Sequence, residues 1–473
     1  MKRLEALKKK NFCAEVVVFS TLLFILMITF TISIMDATSL EMAKSYRRAD
    51  MNRATECMFA EFQKELLDHY DLFALDGSYE TGQYSVNHLE KRLEYYGVSG
   101  TKNSIKRIQF LTDEDCRPFV EQAVYAAKEK YGLGVLGESS QDSWRKEEEN
   151  SDLFQKNESQ LFEKMDEMLS NEETELTDVG NPISHIAGLK AHPILELVMP
   201  KDKKVSEKAV TRSTLLCERK VNRGKGDFSE ESMKIGKTET LLFEQYLSDH
   251  YACFTEKDHG DQRIAEDQVT KQPLDYELEY ILFGKEQDRE NLNQTVKKLV
   301  KLRMVPNFTY LQTDAEKKAE AEAMAATLST LVLSPELTEI VAQGILLAWA
   351  YGEAIMDVRS LLKGHRVPAI KTAASWQLSL SGLLKLGTEE DQNDGKHTAG
   401  GMNYKDYLKV LLVLNSVETN AKRGLTITEL DMQKEYACTW FHADQCIEKI
   451  EFQSTSSFRR GIRYKYKTYF AYQ

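Results

Sequence analysis

Helix breakers are scarce in this chain, with eight prolines and 24 glycines among 473 residues. Such a composition rules out collagen-like and proline-rich architectures, and no glutamine-rich tract or fixed-period repeat points to an array. Basic residues are outnumbered: 62 Lys and Arg face 74 Asp and Glu, for a net charge of -12. The chain therefore lacks the basic footprint of a nucleic-acid binder, and no nucleic-acid partner is expected. Cys13, Cys57, Cys116, Cys217, Cys253, Cys438 and Cys446 include no CxxC pair, so paired zinc knuckles are missing. GxSxG, HExxH, a P-loop and a strand-borne GxGxxG are also missing. No catalytic, cofactor-binding or metal residue is assigned, no small-molecule substrate is identified, and the chain is not expected to be an enzyme.

There is one long hydrophobic run. Val16 to Met35 carries no charged residue, and at about 1.5 Å per residue it matches a hydrocarbon core of roughly 30 Å. A cleaved signal usually has an apolar core of only about 7–15 residues, and "SIMDATS" fits a cleavage site poorly, so an uncleaved anchor is expected. Lys2, Arg3, Lys8, Lys9 and Lys10 precede the run, while Asp36 and Glu41 follow it. The basic flank places the N-terminus in the cytoplasm. The expected organisation is a basic cytoplasmic stub at 1–13, a transmembrane helix at 14–36 and an extracytoplasmic head at 37–473. The location is then the cell membrane, single-pass, with the lipid bilayer as one partner. On the outer side the six remaining cysteines are free to form disulfides, although their spacing shows no framework.

Glu15 stands on the edge of the apolar run. A glutamate there either snorkels to the interface or pairs with a neighbouring chain. Past Met35, Leu40, Ala43, Tyr46 (or Arg47), Met51, Ala54, Met58, Phe62, Leu66 and Tyr70 recur at helical spacing, with no Pro or Gly before Gly77. One helix is expected to leave the membrane and continue for several turns along the head.

The head reads as α+β, mostly helical around a small antiparallel sheet. Period-two patterns predict strands at 103–112, 274–283, about 440–453 and 461–473, with "FRRG" as the last hairpin turn. In the final strand Tyr464, Tyr466, Thr468, Phe470 and Tyr472 share one face. Helices at 335–362 and 402–436 are expected to cover the apolar face of the sheet, with the N-terminal helix alongside. Asp288 is expected to cap a helix through the 290s. The charge-dense segments at about 138–180 and 200–237 read as solvated insertions, and loss of 140–178 is expected to spare the head.

Three side-chain groups raise the question of chemistry. Glu353 and Asp357 share a helix face at i, i+4, with Arg359 nearby, which fits an ion-pair or capping role. His185 and His192 lack a third ligand close in sequence and read as structural. Cys438, His442 and Cys446 have C-x3-H-x3-C spacing. On a strand, positions four apart lie about 13 Å apart, too far to share one ion.

"NFCAEVVVFSTLLF" resembles the start of type IV pilins and of TadE/TadG-like pilus proteins. In such pilins a glutamate near the start of the mature helix pairs with a neighbour's N-terminal amine. No Gly stands before Asn11 or Phe12 to mark a prepilin-peptidase site. "MFAEFQKELLDHYDLFALDG", "LEYILFGKEQDRENL", "LLAWAYGEAIMDVRSLLKGHRVP" and "YKDYLKVLLVL" are similar to segments of an uncharacterised family from Gram-positive, clostridia-like bacteria. Its members resemble TadE/TadG-like proteins of tight-adherence (Flp) pilus loci. The resemblance implies a membrane-anchored pilin-like or pilus-assembly structural component, partnered by other pilus or secretion-system membrane proteins, with Glu15 as a helix-pairing residue. The alternatives are a membrane-anchored cell-envelope enzyme, such as a hydrolase, and a partner-binding scaffold.

Overall fold

The computed structural model describes residues 2–132, 139–171, 176, 180–256, 272–328 and 334–472, with α1 side chains described from Val16 onward. Helix α1 (Lys2–Phe59) runs unbroken through the apolar segment into the head, and α2 (Lys64–Tyr70), β1 (Leu75–Asp76), α3 (Val86–Tyr95) and β2 (Thr101–Phe110) follow. A helical body comes next, beginning with α4 (Asp113–Tyr131), α5 (Ser139–Asn171), α6 (Pro182–Ala191), α7 (Ile194–Val198) and α8 (Lys237–His250). It continues through α9 (Glu277–Phe283), α10 (Asp288–Thr313), α11 (Ala315–Leu328), α12 (Pro335–Leu362), α13 (Leu380–Leu383), α14 (Tyr404–Leu414) and α15 (Val417–Lys434). The chain then returns to the sheet as β3 (Cys446–Ser457) and β4 (Arg463–Ala471). The α+β class read from the sequence is the class observed.

The sheet is antiparallel, and β3 is its central strand. β2 pairs along one edge of β3, from Thr101↔Ser456 to Phe110↔Ile447. β4 and the short β1 share the other edge end to end, with Lys449↔Ala471 and Leu75↔Ile447 marking their junction. Ile105, Ile108, Phe110, Ile450, Phe452, Tyr466 and Phe470 face Met51, Ala54, Met58 and Phe59 of α1 and Leu89 and Leu93 of α3. Phe59 stacks on Phe470 at 4.3 Å and meets the Tyr472 ring edge-on at 5.4 Å. The opposite face is polar: Glu451 is bridged by Arg107 at 2.7 Å and Lys467 at 2.9 Å.

The N-terminal helix is thus the cover of the sheet rather than a neighbour of the cover. Helix α12 packs instead among α5, α6, α10 and α11. It is buried nearly all round, and such a helix is stable only inside other helices. Its glycines permit this: a Cβ at Gly352 would collide with Leu378 and Leu383, and one at Gly344 would sit 2.9 Å from Ile183.

Other expectations need correction. Residues 277–283 form a helix, not a strand. The polar positions that suggested alternation, Glu277 and Glu279, are themselves buried and accept hydrogen bonds from the Ala252 and Phe254 amides at 2.7 and 3.0 Å. The strand expected from about 440 starts at Cys446, after a 3-10 turn over Ala443–Gln445. Asp288 is the first helical residue, after the Gln287 N-cap, and its carboxylate accepts from the Asp275 and Tyr276 amides. The helix expected over 402–436 breaks at Asn415, where Ser416 caps α15. The helical stripe of α1 is interrupted at Ala60–Gln63, where the chain passes from the sheet-side cluster to the larger helical core that holds Leu66 and Tyr70.

Within the segment expected as a solvated insertion, 139–171 is a helix. It docks through Ser151, Phe154 and Met165, with Phe154 edge-on to Phe308 at 5.1 Å. A deletion spanning 140–178 would remove that contact. The second such segment, 200–237, lies across the head, buries Val210, Leu215, Leu216 and Phe228, and bridges β2 through reciprocal Ile108–Lys225 backbone hydrogen bonds of 2.8 Å.

Phe59→Ala removes a fully buried ring from the α1–sheet contact and is expected to cost about 3–5 kcal/mol. Phe24→Ala, in the exposed apolar part of the same helix, should leave the unfolding midpoint of the head unchanged. Denaturant unfolding of both variants in detergent, followed by circular dichroism, makes the comparison.

Candidate functional site

The first functional element is α1 itself. Within it, the stretch with the strongest hydropathy has none of its surface buried by the rest of the protein, and Phe19, Phe24, Leu26 and Met35 stand out as exposed apolar side chains. Four of its hydroxyls are satisfied internally: Thr21, Thr29, Thr31 and Ser33 each donate to a carbonyl three or four residues back at 2.8–3.0 Å. In hydrocarbon every polar group needs such a partner, and an unbroken helix supplies one for each backbone amide. Glu15 lies within α1, but its side chain is outside the described residues.

The second element is a buried charge network around α12. The Lys371 ammonium donates to Glu353 Oε1 at 2.5 Å, Asp357 Oδ1 at 2.6 Å and the Ser375 carbonyl at 3.2 Å. Arg303 Nε donates to Asp357 Oδ2 at 3.0 Å, while its Nη1 reaches the Ala369 carbonyl and the Tyr407 hydroxyl. Glu353 also accepts from the Gln377 and Leu378 amides at 3.0 and 2.9 Å. Two carboxylates face two cations, and all four side chains are almost wholly excluded from solvent. Burial pushes the Glu353 carboxyl up, and the adjacent Lys371 pulls against that shift. Neither of the two described clefts is lined by these residues. The ion-pair role read for Glu353 and Asp357 is the one observed. Arg359 is separate from them, bound to Asp391 at 2.7 Å and to the Leu197 carbonyl.

Sequence reasoning missed Arg303 and Lys371. A signal existed for Arg303, since the buried stripe of α10 runs through Leu292, Val296, Leu299, Val300, Arg303, Asn307 and Leu311. A cation on an apolar stripe implies a buried partner.

The third element surrounds His442. Cys438, His442 and Cys446 do not converge. Cys446 is buried in β3, and the Cys438 thiol accepts from Gln63 Nε2 at 3.5 Å. Among the described residues, Glu429, His442 and Asp444 bring ligand-type atoms within 4.8 Å of one another. Arg219 already pairs with both carboxylates of that group, lying 2.8 Å from Glu429 and from Asp444. Arg219 also lines a cleft of about 540 Å³ with Asp113, Asp115, Cys217 and Lys422. One wall of the cleft is unusual: Glu114, Asp115 and Cys116 are all left-handed, with φ of 49°, 60° and 66°. Each non-glycine residue held there costs of order 1–3 kcal/mol. Asp113 pins the turn by accepting from the Phe110 and Gly224 amides at 2.7 and 2.8 Å, and Lys422 pairs with Asp115 at 2.7 Å. Of the other histidines, His185 bonds to the Leu386 carbonyl at 2.9 Å, and His192 lines a different cleft of about 590 Å³ beside Lys190, Lys297 and Tyr351.

These features define an α+β protein whose apolar N-terminal helix is long enough for a single-pass membrane anchor and whose interior is organised around paired charges. The chain belongs to a family of unknown function, DUF5702, whose model matches residues 171–457. Comparison with curated proteins and with solved structures returned no match. The family description carries no activity, and none of these findings links the chain to tight-adherence pili or to clostridia-like bacteria.

Replacing Lys371 with Met leaves buried Glu353 without a cation and Asp357 with Arg303 alone, and is expected to cost about 3–5 kcal/mol, measurable by denaturant unfolding at neutral pH. A separate pH test concerns Glu244 of α8. It is fully buried, accepts from Asn420 Nδ2 at 3.1 Å, and burial pushes its pKa to about 8. A carboxyl whose folded pKa is raised contributes stability below its ordinary value of 4.5, and loses it as pH rises through about 8. Glu244→Gln should therefore match the unsubstituted protein near pH 5 and exceed it in thermal stability near pH 9.

Proposed function

We propose that this protein is a membrane-anchored, extracytoplasmic structural component of pilin-like or pilus-assembly type. The observation that carries this reading is the continuity of α1, which serves as the apolar segment at one end and as the cover of the sheet at the other. A helix used twice in this way transmits position from membrane to head without a hinge. The resemblance of "NFCAEVVVFSTLLF" to pilin-type starts supports the same reading, with Glu15 as the residue that would pair with a neighbouring helix. The charges buried around α12 satisfy one another, which supports a structural rather than a catalytic role. The partners are then the bilayer and other membrane proteins of a pilus or secretion system.

Topology and association are tested together. Native Cys217 is exposed, so a membrane-impermeant maleimide should label it in intact cells, and Cys217→Ser should remove that label. Labelling that requires permeabilised cells reverses the orientation. The tagged full chain should co-purify with the pilus secretion ATPase and platform proteins, and Glu15→Ala should lower that recovery without depleting the chain from membranes. Unchanged piliation in a deletion strain, with no such association, defeats the proposal.

A further inference from the structure

Strand β4 climbs beside α1 in step with it. Tyr464 lies beneath the Lys44 ammonium at 5.7 Å, the Tyr466 hydroxyl donates to the Arg47 carbonyl at 3.2 Å, and Thr468 donates to Asn52 Oδ1 at 3.1 Å. Phe470 then stacks on Phe59. Followed in the other direction, this ladder leads to the β3–β4 turn, where Arg460 pairs with Asp36 at 3.1 Å. Asp36 is the residue immediately after the apolar run. The hairpin turn therefore ends at the level where α1 leaves its apolar segment.

The chemistry of the turn is specific. Arg460 and Gly461 are both left-handed, with φ of 63° and 72°, which reverses the chain tightly. Arg459, Arg460, Ile462 and Arg463 are all exposed. Asp36 offsets the charge of Arg460. Arg459 and Arg463 have no acidic partner among the described residues, so their guanidinium groups remain available. Guanidinium groups bind phosphate oxygens in bidentate geometry, and Ile462 between them offers a short apolar contact to the acyl boundary.

We propose that the β3–β4 turn is a second membrane contact, in which Arg459 and Arg463 bind anionic phosphate headgroups beside the exit point of α1. The proposal rests on the reading of α1 as membrane-spanning. Two contacts, a spanning helix and a basic turn, fix the tilt of the head, whereas a helix alone leaves the head free to lean.

The test uses the full chain in vesicles of phosphatidylcholine alone, or of phosphatidylcholine mixed with phosphatidylglycerol. A fluorescent amino acid at Ile462 is read against headgroup-spin-labelled lipid. Quenching should be stronger in the phosphatidylglycerol vesicles and should fall at high salt. Arg459→Ser and Arg463→Ser should each weaken headgroup association about fivefold. The same fluorophore at Leu26, read against chain-labelled lipid, reports on the span. An unquenched Leu26 probe defeats the anchor reading. A quenched Leu26 probe with an Ile462 signal indifferent to lipid charge overturns the headgroup contact alone, and is the result expected if the turn meets a second copy of the chain instead.

Discussion

Met51, Ala54, Met58 and Phe59 have no exposed surface, and the half of the molecule that holds the sheet depends on their burial. Each apolar side chain taken fully out of water contributes about 1.5–3 kcal/mol. Without them the sheet would present Ile105, Ile108, Phe110, Ile450 and Phe452 to solvent with only α3 as cover. The end of the helix that completes the head is continuous with an apolar stretch that no part of the head covers. The apolar run and the cover of the sheet are thus one element, and the position of the head follows from the position of the helix.

A different constraint governs the helical body. Helix α12 is too apolar to pack on one side alone, so it lies inside, and Glu353 and Asp357 go inside with it. Their charges are tolerable only because Lys371 and Arg303 arrive from outside α12 in geometry good enough to offset desolvation. Buried ion pairs contribute little net stability but strongly penalise arrangements that separate the partners. Here the pairing ties the end of α12 to the loop at 369–378 and to α10. A packing that separated those partners would leave a buried charge unpaired, at a cost of about 3–5 kcal/mol.

Much of this was legible in the sequence wherever an element has one wet face. The patterns of β2, β4 and the outer part of α1 show a buried row and an exposed row, so period alone identifies them. Legibility failed where both faces are buried. Glu277 and Glu279 resembled the polar row of a strand, yet they lie inside a helix because backbone amides from distant residues satisfy them. In α5 the reverse occurred: a charge-rich composition hid the narrow stripe of Phe154, Leu161, Met165 and Met168 that docks it. The polar network was only half visible. Glu353 and Asp357 share a helix face, but Arg303 lies 54 residues from Asp357 in sequence. The cleft beside Cys217 had no sequence signal, because three consecutive left-handed residues without glycine carry no compositional mark.

The head is held in step with the apolar run only if α1 is continuous across the boundary between them. Amide hydrogen exchange on the full chain in lipid nanodiscs, resolved over Asp36–Arg53, reads that continuity. A single rod predicts graded, uninterrupted protection from Asp36 into the buried turn at Met51. A fast-exchanging break anywhere between Asp36 and Lys44, with protection on both sides of it, would show a hinge there and rule out a single rod.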